Sequence, residues 1–230
     1  MIAEFIKVQG PLGLEVKISS SWIMVAVFLV WSLSTAYFPI KVPDIKDSSG
    51  FMLAAVAMVG VFASVVFHEL AHIIVARKNG VEIKRTTLYF FGGLAEMETL
   101  PRSVGTEIWN ALAGLIASLF LCIVFWGLSN AAAPLGFSAE TTALFSLLGE
   151  ANLLLVLFNL LPTFPLDGGR IYRALLWRGS GDLVRATRQA SRPGMVLAPG
   201  AMLIGLYMTY FTETWAGLWL FLAGFFLFTT

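Results

Sequence analysis

The chain has 230 residues, 58% of them hydrophobic and 13% charged, with a mean hydropathy of +0.82 and a formal net charge of +1. An ordinary soluble domain carries about 25% charged residues, so a water-soluble fold, a nucleic-acid binder with a basic surface and a disordered tail are excluded. What remains is a polytopic α-helical membrane protein whose surroundings are the lipid bilayer.

Residues 1–17 carry Glu4 and Glu15 and lack an apolar stretch of signal-peptide length, so no cleavable signal is expected. Gly10-Pro11-Leu12-Gly13 separates two short alternating stretches, which predicts a small β-hairpin near residues 5–18. Six apolar segments follow, at roughly 22–40, 51–77, 107–129, 141–161, 194–211 and 214–229. Trp22, Tyr37, Phe38, Trp109, Trp215 and Trp219 mark their ends, as expected of interfacial anchors. Between the second and third segments, Val81–Leu94 is rich in β-branched and aromatic residues and closes on Gly92-Gly93. It reads as a strand, a hairpin or a re-entrant loop. The expected fold is therefore about six transmembrane helices with a small β-hairpin or re-entrant sheet near the cytoplasmic side. No repeat or low-complexity linker interrupts residues 1–230, so a single transmembrane core domain is expected. No basic residue follows the last segment, which leaves room for a regulatory domain beyond residue 230. The single cysteine, Cys122, excludes an internal disulfide and a multi-cysteine metal site.

Basic residues set the orientation. With a cytoplasmic N-terminus, the inner segments 1–21, 78–106 and 162–193, together with Arg77, hold all of the 15 basic residues except Lys41 and Lys46. The bias of Lys and Arg toward cytoplasmic loops then predicts both termini inside. The arginines from Arg170 to Arg192 alternate with Ile171, Leu175, Leu176 and Trp177, a basic amphipathic stretch suited to the inner membrane surface.

The second apolar segment contains His68-Glu69-Leu70-Ala71-His72, and these are the only 2 histidines of the chain. Residues four apart share one helix face. Two imidazoles can thus reach one Zn²⁺, with Glu69 beside them as general base. Ionisable groups inside a membrane are expensive and functional by default. A catalytic zinc takes three protein ligands, and with no further histidine or cysteine nearby the third must be a carboxylate. Asp167, in Pro162-Thr163-Phe164-Pro165-Leu166-Asp167-Gly168-Gly169-Arg170, is the candidate, presented from backbone bent by the prolines. The same residue also suits a helix cap or a turn. Both it and the histidine pair sit at the predicted cytoplasmic ends of their segments.

H-E-x-x-H in one membrane segment and N-x-x-P-x-x-P-x-D-G-G-R, from Asn159 to Arg170, in a later one resemble the site-2 protease family of intramembrane zinc metalloproteases, prokaryotic type. The resemblance spans the whole chain. It implies one zinc held by His68, His72 and Asp167, with Glu69 as the catalytic base. Asn159 would lie close to the catalytic centre, orienting substrate or stabilising the oxyanion. It also implies that the Gly92-Gly93 region holds an extended substrate along a strand edge. The partner is then a transmembrane protein substrate cut within or near its membrane segment, as in regulated intramembrane proteolysis, and no nucleic acid. The setting is a prokaryotic plasma membrane with the active site toward the cytoplasmic half.

The sequence departs from the family at its third helix, where a G-P-x-x-N-like element is expected. Gly114-Leu115-Ile116-Ala117-Ser118 keeps the glycine but not the proline or the asparagine. A small-residue packing face of Gly114 and Ser118 is the favoured reading there. Glu150, inside the fourth segment, lines a water path, pairs with a partner or lies nearer the outer surface; Asn152 shares a helix face with Asn159. A transporter or channel with a zinc-binding helix pair is the competing class. A metalloprotease with a downstream glutamate ligand is disfavoured by the D-G-G segment, and an inactive relative by the intact His68-Glu69-His72 set.

Overall fold

The computed structural model describes residues 4–10, 14–19, 21–80, 83–89, 92–97, 103–212 and 215–229. The chain divides into two compact units, Met1–Leu100 with Ala113–Leu157, and Pro101–Leu112 with Phe158–Thr230.

The first unit contains strands β1 (Glu4–Gly10), β2 (Leu14–Ser19), β3 (Ile83–Tyr89) and β4 (Gly92–Met97) in one sheet of order β1-β2-β3-β4. The β1–β2 and β3–β4 pairs are antiparallel, and β2–β3 is parallel. Gly92 and Gly93 open β4 opposite Tyr89 and Leu88. Its helices are α1 (Ser21–Ser32), a π-helical turn (Leu33–Tyr37), α2 (Phe38–Lys41) and α3 (Asp47–Lys78), with the greater parts of α4 (Val104–Ala132) and α5 (Ala139–Asn159). The second unit holds the start of α4, the end of α5, then α6 (Asp167–Ser180), α7 (Leu183–Ser191), α8 (Gly194–Phe211) and α9 (Trp215–Thr229).

Among the described residues, five stretches are long and apolar enough to cross a membrane: Trp22–Lys41, Asp47–Lys78, Val104–Ala132, Ala139–Asn159 and Leu183–Phe211. The expected sixth, 214–229, forms α9 over nearly the same residues, but its 15 residues fall short of the about 20 that a perpendicular span needs. Large apolar side chains stand on the outside of these helices, including Met24 at 77% exposure and Leu203 at 68%. In water such faces would be a liability; against acyl chains they are the ordinary state. The protein is an integral membrane protein. Inside the first unit, the core around Phe38, Ala54, Ala57 and Leu147 uses small residues to bring helices close.

Local chemistry sets the ends of the elements that carry the site. Helix α3 has Asp47 in its first turn and Arg77 and Lys78 in its last, the arrangement its dipole favours. It stops where the Asn79 side-chain amide donates to the Val75 carbonyl at 2.8 Å and Gly80 turns to φ +71°. The Pro162–Leu166 stretch breaks the chain between α5 and α6, but Asp167 itself is not on unwound backbone. Leu166 is the extended N-cap, and Asp167 opens α6, where an acidic first turn suits the helix dipole.

The first membrane helix is wound one residue wide. In the π turn, the Phe38 amide donates to the Leu33 carbonyl, and the Ser34 and Thr35 hydroxyls donate to the Trp31 carbonyl at 3.0 and 2.8 Å. A π turn acts as a one-residue insertion into an α-helix. Its result is that Tyr37 and Lys41 meet Glu150: Tyr37 Oη donates to Oε2 at 3.0 Å, and Lys41 Nζ and Ser146 Oγ donate to Oε1 at 3.3 and 3.0 Å. Glu150 is thus paired, and its side chain is 40% exposed.

Candidate metal centre

The His68–His72 spacing does in the fold what helical periodicity dictates. Both rings emerge from one face of α3, both are buried, and His68 Nε2 and His72 Nε2 lie 3.1 Å apart. Two nitrogens bound at 2.0–2.1 Å to one tetrahedral ion would be about 3.3 Å apart, so the pair is already spaced for a shared metal. The outer nitrogen of His68 is also placed: Nδ1 lies 2.8 Å from the hydroxyl of Ser118, which is fully buried. Where Nδ1–H donates to Ser118 Oγ, Nε2 is the nitrogen left to ligate a metal, and Ser118 is an outer partner of the kind ligating histidines commonly have.

Ser118 and Gly114 share a face of α4. A Cβ at Gly114 would fall on His72 Nε2 and His68 Cε1, so glycine is there because two imidazoles occupy the space. The expected small-residue face of Gly114 and Ser118 therefore packs on the histidine pair of α3. Ser118 stands where the family's asparagine is expected, yet its contact is with a ligand ring. A hydroxyl four residues from a glycine was the sequence signal, and helix packing was the commoner explanation for it.

One helical turn before His68, Ser64 accepts from the Asn152 amide at 3.0 Å, and Asn152 also donates to the Leu148 carbonyl at 2.8 Å. Glu69 is 5% exposed. The inward polar face expected from Asn152 therefore exists at that residue.

In the second unit, the two glycines after Asp167 are required by close approach. A Cβ on Gly168 would strike the Leu160 carbonyl, and one on Gly169 the backbone of Thr163. The first turn of α6 is thereby seated directly against the Leu160–Thr163 backbone, and Asp167 is 4% exposed. Asn159, the last residue of α5, is 5% exposed.

Among the described residues, His68, His72 and Asp167, all buried, each offer one ligand atom, and these atoms lie within 4.8 Å of one another. Two neutral imidazoles and one carboxylate are a donor set suited to zinc, with a coordination position left open. Gly92 and Gly93, the expected substrate contacts, are in β4 and do not belong to this group.

A buried His₂Asp group, its histidines on the membrane-length helix α3 and its aspartate at the start of the shorter α6, defines the class: an integral membrane metalloprotein with the H-E-x-x-H motif of metallopeptidases. Comparison with known proteins agrees. A model described as Peptidase family M50 matches residues 56–143 and 130–199, and the chain belongs to that family. The Mycobacterium tuberculosis protein that bears the name "Putative zinc metalloprotease Rip3" is 37% identical over 216 residues, covering 94% of this chain and 55% of that protein. A Synechocystis protein that bears the name "Putative zinc metalloprotease sll0528" is 32% identical over 200 residues, covering 87% of this chain and 52% of its own length. The chain spans about half the length of the curated relatives it matches. The solved structure of a site-2 protease from Methanocaldococcus jannaschii superposes with a TM-score of 0.67 at 29% identity, covering 95% of this chain and 93% of that one.

Proposed function

We propose that the protein is an intramembrane zinc metalloendopeptidase of the site-2 protease type. It hydrolyses peptide bonds within or near transmembrane segments of membrane-protein substrates, and residues 1–230 act as one protease core. The observation that carries this reading is the buried ligand group His68, His72 and Asp167 with Glu69 next to His68 on the same helix. Bound zinc would supply Lewis acidity at that point. Glu69 removes a proton from the attacking water and delivers it to the leaving amine. Asn159 orients the scissile peptide or donates to the developing oxyanion. A helical substrate hides its carbonyls in hydrogen bonds and must extend before attack. The edge of β4 at Gly92 and Gly93 offers it backbone partners, which keeps exposed peptide groups satisfied at membrane depth. The purified protein is expected to cleave a model transmembrane substrate, to lose that activity to a chelator, and to regain it on adding zinc alone. Cleavage at full rate by metal-free protein would overturn the assignment.

Both termini and the open side of the site are assigned to the cytoplasm of a prokaryotic cell, on the distribution of basic residues. In a Cys122→Ser background, a cysteine replacing the exposed Arg185 is expected to react with an impermeant thiol reagent only after the membrane is opened. Labelling from outside intact cells would reverse the topology.

A further inference from the structure

The second unit buries more charge than a ligand carboxylate needs. Glu107, in the first turn of α4, is 1% exposed. Its Oε1 takes both arginines that follow the D-G-G segment: Arg170 Nε lies at 3.4 Å, and Arg173 Nη2 forms a close ion pair with the same oxygen. Arg173 is covered on its other side by the Phe164 ring, 4.7 Å from its centroid. Arg170 faces two ways. While Nε is held by Glu107, Nη1 lies 3.7 Å from Asp167 Oδ1. The chain of contacts thus runs Phe164–Arg173–Glu107–Arg170–Asp167, with two cations against two carboxylates. A buried carboxylate is retained at this depth only where its charge is matched and its oxygens are bonded. Structural pairing alone would be met by one arginine; the second is the one that reaches the metal-site carboxylate.

We propose that Glu107 is a positioning residue for the metal centre: it anchors Arg170, and Arg170 orients the Asp167 carboxylate toward the metal. The inference rests on Asp167 being a zinc ligand. A guanidinium is a planar fork that prefers to grip a carboxylate with two parallel hydrogen bonds. Glu107 holds the Nε side of Arg170, and Nη1 is the atom placed toward Asp167, 3.7 Å from Oδ1. Without Glu107, the guanidinium loses its anchor and is free to shift against the Asp167 carboxylate, in competition with the metal. Without Arg170, the carboxylate loses the cation that stands beside its Oδ1. Loss of outer partners of this kind typically lowers metal affinity by about 10- to 100-fold.

The test is zinc affinity of the full chain in detergent micelles, measured by competition with a chromophoric chelator, with no reference to proteolysis. Glu107→Gln is expected to weaken zinc by about 10- to 100-fold while still binding one equivalent at saturation. Arg170→Met is expected to do the same and serves if Glu107→Gln does not fold. Arg173→Met is the control: it removes an equal partner of Glu107 that does not reach Asp167, and is expected to stay within about threefold of the parent. Parent-like affinity in both Glu107→Gln and Arg170→Met overturns the proposal. So does a loss in Arg173→Met equal to that in Arg170→Met, because the cluster would then act only through folding. If Asp167→Ala binds zinc as the parent does, the underlying ligand assignment fails, and that outcome is read from this variant alone.

Discussion

Replacing Glu69 with glutamine is expected to lower cleavage of a transmembrane substrate by about 10²- to 10⁴-fold, the range for losing a positioned general base, while the protein keeps its zinc. The two side chains have almost the same shape, and the site is 5% exposed, so the change removes a proton acceptor and leaves the packing of α3 in place. The measurement is paired: turnover of the substrate, and zinc per chain in the same preparation. Near-parental turnover would remove Glu69 from the mechanism. Loss of zinc together with activity would instead make Glu69 part of the metal's support.

Gly114→Ala is the second large effect, and it comes from one methyl group. That methyl would arrive on His72 Nε2 and His68 Cε1. Overpacking a dense interior commonly costs 1–3 kcal/mol, but stability is the smaller part here. One or both imidazoles must rotate away, and the 3.1 Å spacing of their Nε2 atoms is then lost. The variant is expected to fold, to show a lowered melting temperature, and to bind zinc at least about 100-fold more weakly. Retention of parental zinc affinity would mean that the histidine rings can give way there, and that Gly114 is not a determinant of the site.

What was legible in the sequence follows from where each signal lies along the chain. His68, Glu69 and His72 are local: a four-residue spacing on a helix has one geometric outcome. Asp167 was legible through its neighbours, since two prolines and two glycines announce a close backbone approach, although its place in the first turn of α6 was not. Ser118 and Gly114 sit some 50 residues beyond His68. In a membrane helix that is apolar on every side, no periodicity says which face meets which neighbour. Glu107 carried no signal, because a carboxylate at the predicted inner end of a segment looks like an interfacial charge; its arginines lie 63 and 66 residues further on.

The wide turn at Leu33–Tyr37 makes the first membrane helix sensitive to its residue count more than to its residue types. Along its outer side, Met24 and Val27 are 77% and 65% exposed, and one apolar side chain can stand in for another. Removing a single residue from α1 is different. With the wide turn kept, everything downstream would rotate by about 100°, taking Tyr37 and Lys41 away from Glu150 together. A deletion there therefore strips this carboxylate of its phenol and its ammonium in one step, where no single substitution removes more than one. Length variation in this helix is expected to be far rarer than change of side chain.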